Sequence, residues 1–264
     1  MSSFSFLLGF FLSAIIAAFA CWRGSLTRSG ALGTIVIGTL VFGIGGFAWG
    51  VLLVAFFVTS SALSHYKERA KEPLAEKFQK GHRRDLGQVL ANGGVGALTA
   101  FAYAINPHPL FFVAFVGALA TVNADTWATE LGVLSKSPPR LITTGRVVAV
   151  GTSGGVTLLG TSIALCGALL IGIVASPFSN LSILSIATIS GLLGSLFDSL
   201  LGATVQAIYF CDRDQKETES RVHRCGRATR LMRGWWWLDN DGVNFLASAL
   251  GSVSAMLAFW VIGF

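Results

Sequence analysis

Charged residues make up only 12% of this 264-residue chain, against roughly a quarter in an ordinary soluble domain. A soluble core of this size needs a charged shell, and 19 Lys and Arg with 13 Asp and Glu are too few to make one. Proline is scarce too, at six residues, and the 31 glycines follow no Gly-X-Y period, which excludes collagen and a disordered linker. Four cysteines do not argue for disulfides, because Cys211 and Cys225 lie in a basic, hence reducing, loop and Cys21 and Cys166 fall in or beside apolar segments. No Cys-x-x-Cys pair is present: Asp214 stands where a second cysteine would be expected, which weakens the case for structural zinc around His223. A Walker Gly-Lys-Ser/Thr is absent. The run Asp239-Asn240-Asp241-Gly-Val-Asn244 resembles the start of a calcium loop, but it lacks the glutamate at the twelfth position and leads into an apolar segment.

What is abundant is apolar sequence, 53% of the chain, in runs near the roughly 20 residues of one bilayer crossing. The runs lie near 4–22, 31–45, 47–64, 87–105, 110–134, 153–175, 180–210 and 243–263. The stretch 31–64 is too long for one ordinary span, and Gly43, Gly45 and Gly46 offer a turn between two. The expected fold is therefore all-α, a polytopic membrane protein of about eight transmembrane helices in one domain over residues 1–264. The abundant Gly, Ala and Ser suit close helix packing in lipid. With eight spans, every Lys and Arg falls after spans one, three, five and seven, including the basic loops at about 65–86, 135–150 and 210–235. By the positive-inside rule these loops are cytoplasmic and both termini external.

The first apolar run lacks a basic n-region, and Cys21-Trp22-Arg23 is a poor cleavage site, so it reads as a span and not as a signal peptide. No arginine-rich presequence precedes it. The expected location is a prokaryotic plasma membrane, or a thylakoid if the source is photosynthetic. The lipid bilayer is the expected partner, and nucleic acid is not. The 65–86 loop, from Lys67 to Asp85, could form an amphipathic helix on anionic lipid, with Arg83 and Arg84 near a site entrance.

Chemistry should reside in the polar residues at or inside the spans, because a carboxylate in hydrocarbon costs roughly 2.5 kcal/mol or more and so usually faces a cavity or partner. Asp125 and Glu130 lie in span five, Asp198 in span seven, and Asp239 and Asp241 at the start of span eight, accompanied by Asn92, Asn123, Gln206, Asn240 and Asn244. The topology places these groups in the cytoplasmic half. Helical periodicity puts Asp125 and Thr129 on one face, with Glu130 about 140° from Asp125. Clustered carboxylates and amide oxygens are hard ligands suited to Mg²⁺, with Asp125, Asp198 and Asp241 as candidate metal ligands. An interhelical hydrogen-bond network or a proton path is the competing reading. Gly151-Thr152-Ser153-Gly154-Gly155, taken as a helix opening after a loop with Arg140 and Arg146, has the makings of a phosphate cradle. One of Asp239 and Asp241 is also expected to cap its helix, and Trp235, Trp236 and Trp237 to form an interfacial belt.

Six motifs together resemble one family: Gln88-Val-Leu-Ala-Asn92-Gly-Gly, Asn123-Ala-Asp125-Thr-Trp-Ala-Thr-Glu130-Leu-Gly, Arg140-Leu-Ile-Thr-Thr-Gly, Gly151-Thr-Ser-Gly-Gly-Val, Phe197-Asp198-Ser-Leu-Leu-Gly and Leu238-Asp-Asn-Asp241-Gly-Val-Asn-Phe. They are similar to the integral-membrane family known as domain of unknown function ninety-two, which includes transmembrane protein nineteen and the phytyl-phosphate kinase of plants and cyanobacteria. The likeness runs from about residue 25 to 250. More distantly, the intramembrane Asp and Ser/Gly-rich turn resemble CTP-dependent polyprenol kinases and phosphatidate cytidylyltransferases, although the acidic residue usual before the turn is missing. The resemblance implies a prenyl-phosphate kinase with CTP or another nucleoside triphosphate as donor and Mg²⁺ as cofactor. Asp125, Asp198 and Glu130 would then be catalytic, and Asn92, Asn123, Arg140, Arg146, Thr152, Ser153, Gly154, Asn240 and Asn244 would bind substrate or nucleotide. The alternative is a transporter or channel relaying cations or protons through the intramembrane carboxylates, for which an internal repeat and polar residues in the outer half would be expected.

Overall fold

A computed structural model describes residues 3–67, 83–180 and 182–262. Helices dominate: α1 (Ser3–Trp22), α2 (Arg28–His65), α3 (Leu86–Ile105), α4 (Pro109–Gly132), α5 (Leu158–Ala175), α6 (Ser182–Thr204) and α7 (Asn240–Ile262). All seven are long and apolar enough to cross a membrane. Large apolar side chains cover the outside of the bundle as well as its core: Leu32, Phe47, Leu98, Phe101, Ile189 and Trp260 are all exposed. Such a surface matches lipid rather than water.

The 38-residue α2 is two legs joined at a fold-back, as its length required. Gly46 takes φ 74° and ψ −157°, outside the helical region and readily reached only by glycine. Past it the chain returns along itself, so that Phe42 packs against Gly50 and Ser25 Oγ lies 3.0 Å from His65 Nε2. A straight helix of this length would hold its ends roughly 57 Å apart. The Gly46 turn shares one end of the bundle with the α3–α4 loop and the 3₁₀ turn Ser176–Phe178, through Trp49 against Tyr103 and Phe112, and Phe47 against Phe178. Every described Lys and Arg lies at the other end, where Thr27 N donates to Arg84 O and Ser153 meets Glu219.

Helix α4 is the axle of the bundle. From Val113 to Ala124 every residue is buried, so its surface is covered on all sides. Small residues permit the approach: Gly191 packs on Ala120 and Ala168, while Gly194 and Gly251 both close on Thr121, whose hydroxyl bonds back to Gly117 O at 3.0 Å. Without a solvent-driven hydrophobic force between helices in lipid, such van der Waals contact and interhelical hydrogen bonds carry association.

Two loops at the basic end are folded rather than open, and they shorten the expected spans. Span six does not begin at 153. Residues 140–141 (β1) and 155–156 (β2) pair antiparallel, and α5 starts only at Leu158, where Thr157 Oγ1 accepts from Gly160 N at 2.9 Å. Span seven ends at Thr204 instead of 210, because Ile208–Cys211 is the middle strand (β3) of a small antiparallel sheet with Lys216–Thr218 (β4) and Arg230–Arg233 (β5). Apolar composition alone does not separate a buried strand from the end of a helix. The amphipathic helix expected within 65–86 falls largely on residues 68–82, outside the described residues.

Candidate functional site

Helices α2, α3, α4, α5, α6 and α7 end or begin around one cavity of about 280 Å³ at the basic end. Its wall holds four carboxylates, Asp125 and Glu130 from α4, Asp198 from α6 and Glu219 from the segment after β4. Amides and hydroxyls fill the gaps: Gln88 and Asn92 from α3, Asn240 and Asn244 from α7, and Thr126, Thr129, Thr161, Ser195 and Ser199. Arg84 is the one basic side chain on the wall among the described residues.

Each acid is held differently. Asp125, half-buried, accepts from Ser195 Oγ at 3.5 Å, a contact too long to satisfy a carboxylate. Asp198 is half-buried, and its Oδ2 is shut off from solvent with no hydrogen-bond partner. Asp125 and Glu219 lie near enough to repel it electrostatically. Glu130 accepts from Ser64 Oγ at 2.7 Å, tying α4 to the second leg of α2. Although Glu130 points well away from Asp125 around the helix, both reach the cavity, because it wraps the cytoplasm-facing end expected for α4. Glu219 accepts from Ser153 Oγ at 3.0 Å and from Gln206 Nε2 at 2.9 Å.

Arg84 is fixed by backbone pairing, with Arg84 N donating to Ser25 O and Arg84 O accepting from Thr27 N, both at 3.0 Å. Its guanidinium lies over the rings of Phe56 and Phe57. Burial lowers its pKa and the Glu130 charge raises it, with burial dominating. An arginine stays protonated under such a shift, so the wall keeps one fixed positive charge.

Several expected positions are arranged otherwise. Thr152, Ser153 and Gly154 do line the cavity, yet they do not open a helix. Gly154 has φ +82° and abuts Ala203, and Gly202 sits over its amide, so these glycines serve close packing of the loop on α6. Arg140 and Arg146 are exposed and off the cavity wall, Arg140 donating to Gly145 O at 2.9 Å. Asn123 is fully buried beneath the site, donating to Gly167 O at 2.7 Å and accepting from Thr59 at 3.2 Å, an interhelical clamp. Asp241 is not on the wall; the preceding Asp239 caps α7 by accepting from Gly242 N at 3.1 Å. Glu219 was not singled out in the sequence, where it is one acid in a basic loop. Only the β3–β4 register brings it over Ser153.

The donor set suits a hard divalent cation shared with phosphates: carboxylates from two helices, one with an orphaned buried oxygen, and, among the described residues, no thiol or imidazole on the wall. Asp125 and Asp198 are the residues placed to hold it. Among the described residues, the side chains drawn into a compact ligand-like group lie elsewhere, at Cys211, Asp214, His223 and Cys225. The missing Cys-x-x-Cys did not prevent that convergence.

Relatives include proteins of a plant, an archaeon and a cyanobacterium. The chain is 34% identical to Protein PGR of Arabidopsis thaliana, over 94% of this chain and 93% of that protein. It is 34% identical to an uncharacterized membrane protein of Methanocaldococcus jannaschii, over 89% and 86%. It is 26% identical to Protein VTE6, chloroplastic, of Arabidopsis thaliana, over 88% of this chain and 65% of that protein. No solved structure matches it. The family model described as Integral membrane protein DUF92 matches residues 11–252, nearly the whole helical bundle and the polar cavity inside it, and the chain belongs to that family.

Proposed function

We propose that the protein is a membrane-embedded prenyl-phosphate kinase, transferring a phosphoryl group from CTP or another nucleoside triphosphate to a prenyl monophosphate. The observation that carries this reading is the meeting of Asp125 and Asp198, from two different helices, in one polar cavity at the basic end of an otherwise apolar bundle. Such a reaction must hold an isoprenyl tail in lipid while its phosphate meets a soluble triphosphate. Phosphoryl transfer depends mainly on positioning and on neutralising charge over the phosphate oxygens. Arg84 can pair with phosphate oxygens, and Asn92, Asn240 and Asn244 can donate to them or to a nucleotide base. Mg²⁺, held by Asp125 and Asp198, would supply the remaining positive charge. Ser64 and Glu130 orient one wall, and Glu219 locks the Ser153 loop as the other.

The opposite half of the bundle favours an enzyme over a conduit. There Trp49 stacks on Phe115 with ring centroids 4.6 Å apart and packs on Phe112 and Tyr103, an aromatic cluster rather than the polar lining a cation or proton relay needs. The test is to incubate membranes carrying the protein with labelled CTP, ATP, GTP or UTP and with phytyl or geranylgeranyl phosphate, with and without Mg²⁺. Labelled prenyl diphosphate is the expected product. Its absence with every donor and tail, from protein shown to be folded, would overturn the kinase reading.

A further inference from the structure

A second cluster of ligand-type side chains lies outside the cavity, in the cap built on β3–β5. Cys211 ends β3, and Asp214 follows in the turn to β4. His223 and Cys225 sit in a turn closed by His223 N donating to Arg227 O and Gly226 N donating to His223 O, with Gly226 at φ +79°. Two separate turns thus bring one ligand-type atom from each of the four residues within 4.8 Å of one another. None of the four lines the cavity.

We propose that Cys211, Asp214, His223 and Cys225 form a structural zinc site. The spacing fits a tetrahedral ion with short rearrangement. Zn–S bonds of about 2.3 Å put two thiolates about 3.8 Å apart, and nitrogen and oxygen ligands at about 2.1 Å lie roughly 3.4 Å apart. Here the sulfurs are 3.6 Å apart, and His223 Nδ1 is 3.0 Å from Asp214 Oδ2. His223 is only 4% exposed, yet neither ring nitrogen has a hydrogen-bond partner. A buried imidazole is ordinarily satisfied, whereas here Nε2 has no partner and Nδ1 has only the Asp214 carboxylate beside it. The contact with Asp214 is close without hydrogen-bond geometry, as when two ligands point at a common centre.

The chemistry of the set agrees. Thiolate with imidazole selects zinc over Mg²⁺ or Ca²⁺, and a single carboxylate is an ordinary fourth ligand. Two thiolates and a carboxylate with a neutral imidazole carry three negative charges, which Zn²⁺ reduces to one. Arg213 donates to Cys225 O at 3.4 Å, linking the two turns that carry the four residues. A site would also add stability to a sheet whose strands of four, three and four residues are too small to form a core of their own. Four protein ligands and no open position make the ion structural. It pins the turn leading into β4, and so the segment presenting Glu219.

The test is metal analysis of the full-length protein purified in detergent without added chelator, with cobalt exchange as a second readout. About one zinc per chain is expected, and the Co²⁺ form should show thiolate-to-metal charge transfer with the intense visible bands of a tetrahedral site. Cys225→Ser and His223→Ala should each lower zinc at least fivefold. Asp214→Cys should keep zinc at one per chain and bind it more tightly, which guards against a trivial folding failure in the other variants. Zinc well below one per chain in folded wild type, zinc unchanged in both loss variants, or a Cys211–Cys225 disulfide in protein purified without oxidant would each overturn the proposal. Because zinc content and cobalt spectra do not depend on turnover, failure here leaves the kinase reading standing, and the reverse also holds.

Discussion

Replacing Asp198 by Asn separates a catalytic acid from a structural one, because the two roles call for opposite effects on stability. Asp198 Oδ2 makes no hydrogen bond, so the substitution breaks none there. It removes a charge from a wall shared with Asp125, Glu130 and Glu219. A sphere with the cavity's volume of 280 Å³ is about 8 Å across. Two unit charges at that separation repel by roughly 2 kcal/mol at an effective dielectric near 20. In EDTA, Asp198→Asn should therefore unfold at the same temperature as wild type or a few degrees higher. In Mg²⁺, transfer from triphosphate to prenyl phosphate should fall on the order of 10²-fold, equivalent to about 2.7 kcal/mol of lost transition-state stabilisation. Asp125→Asn should behave alike, and the double variant should lose less than the product of the single losses if both acids hold one cation. The assays are a thermal unfolding curve in detergent and initial-rate kinetics in proteoliposomes across Mg²⁺ concentrations. A variant that turns over normally, or one that loses stability in EDTA, would refute the reasoning and return Asp198 to packing.

Arg84→Gln should raise the KM for the phosphate substrates at least tenfold with folded protein retained, whereas Arg146→Ala should leave KM unchanged, since only Arg84 is on the wall; equal effects in steady-state kinetics would count against the cavity. Gly251→Ala drives a methyl group into Thr121 and the Gly117 carbonyl, and a loss of about 1–3 kcal/mol should appear as a lower denaturation midpoint. A short thiol cross-linker should join Ser25→Cys to His65→Cys, which the fold-back at Gly46 brings together; no link beyond the background from native cysteines would mean α2 is straight. Reporters fused at residue 220 and at Ser179 should read cytoplasmic and external; finding both on one face would break the eight-crossing arrangement.

The membrane class was legible in the sequence because it depends on composition and run length alone: too few charges for an aqueous shell, and apolar stretches of bilayer length. The fold-back in α2 was legible for a similar reason. A 38-residue apolar helix exceeds the bilayer, and a residue free to take positive φ stood at its middle in Gly46. The acids Asp125, Glu130 and Asp198 stood out because carboxylates in hydrocarbon demand a reason. What the sequence left open were matters of distance between elements remote along the chain. Arg140 and Arg146 had suitable chemistry next to a glycine run, but the β1–β2 pairing turns them outward, while Arg84, judged only to be near an entrance, is held on the wall by its backbone bonds to Ser25 and Thr27. Asn123 read as a ligand beside Asp125, yet the two helical steps between their positions turn it roughly 200° around the helix, to the buried side of α4 against Gly167. Glu219 carried no local signal, and the four zinc-type ligands had the wrong spacing for a known motif. Local pattern fixes what each segment can be, through periodicity and the cost of burying charge, whereas a site is made by side chains that meet across helices and strands, and only their packing decides which ones do.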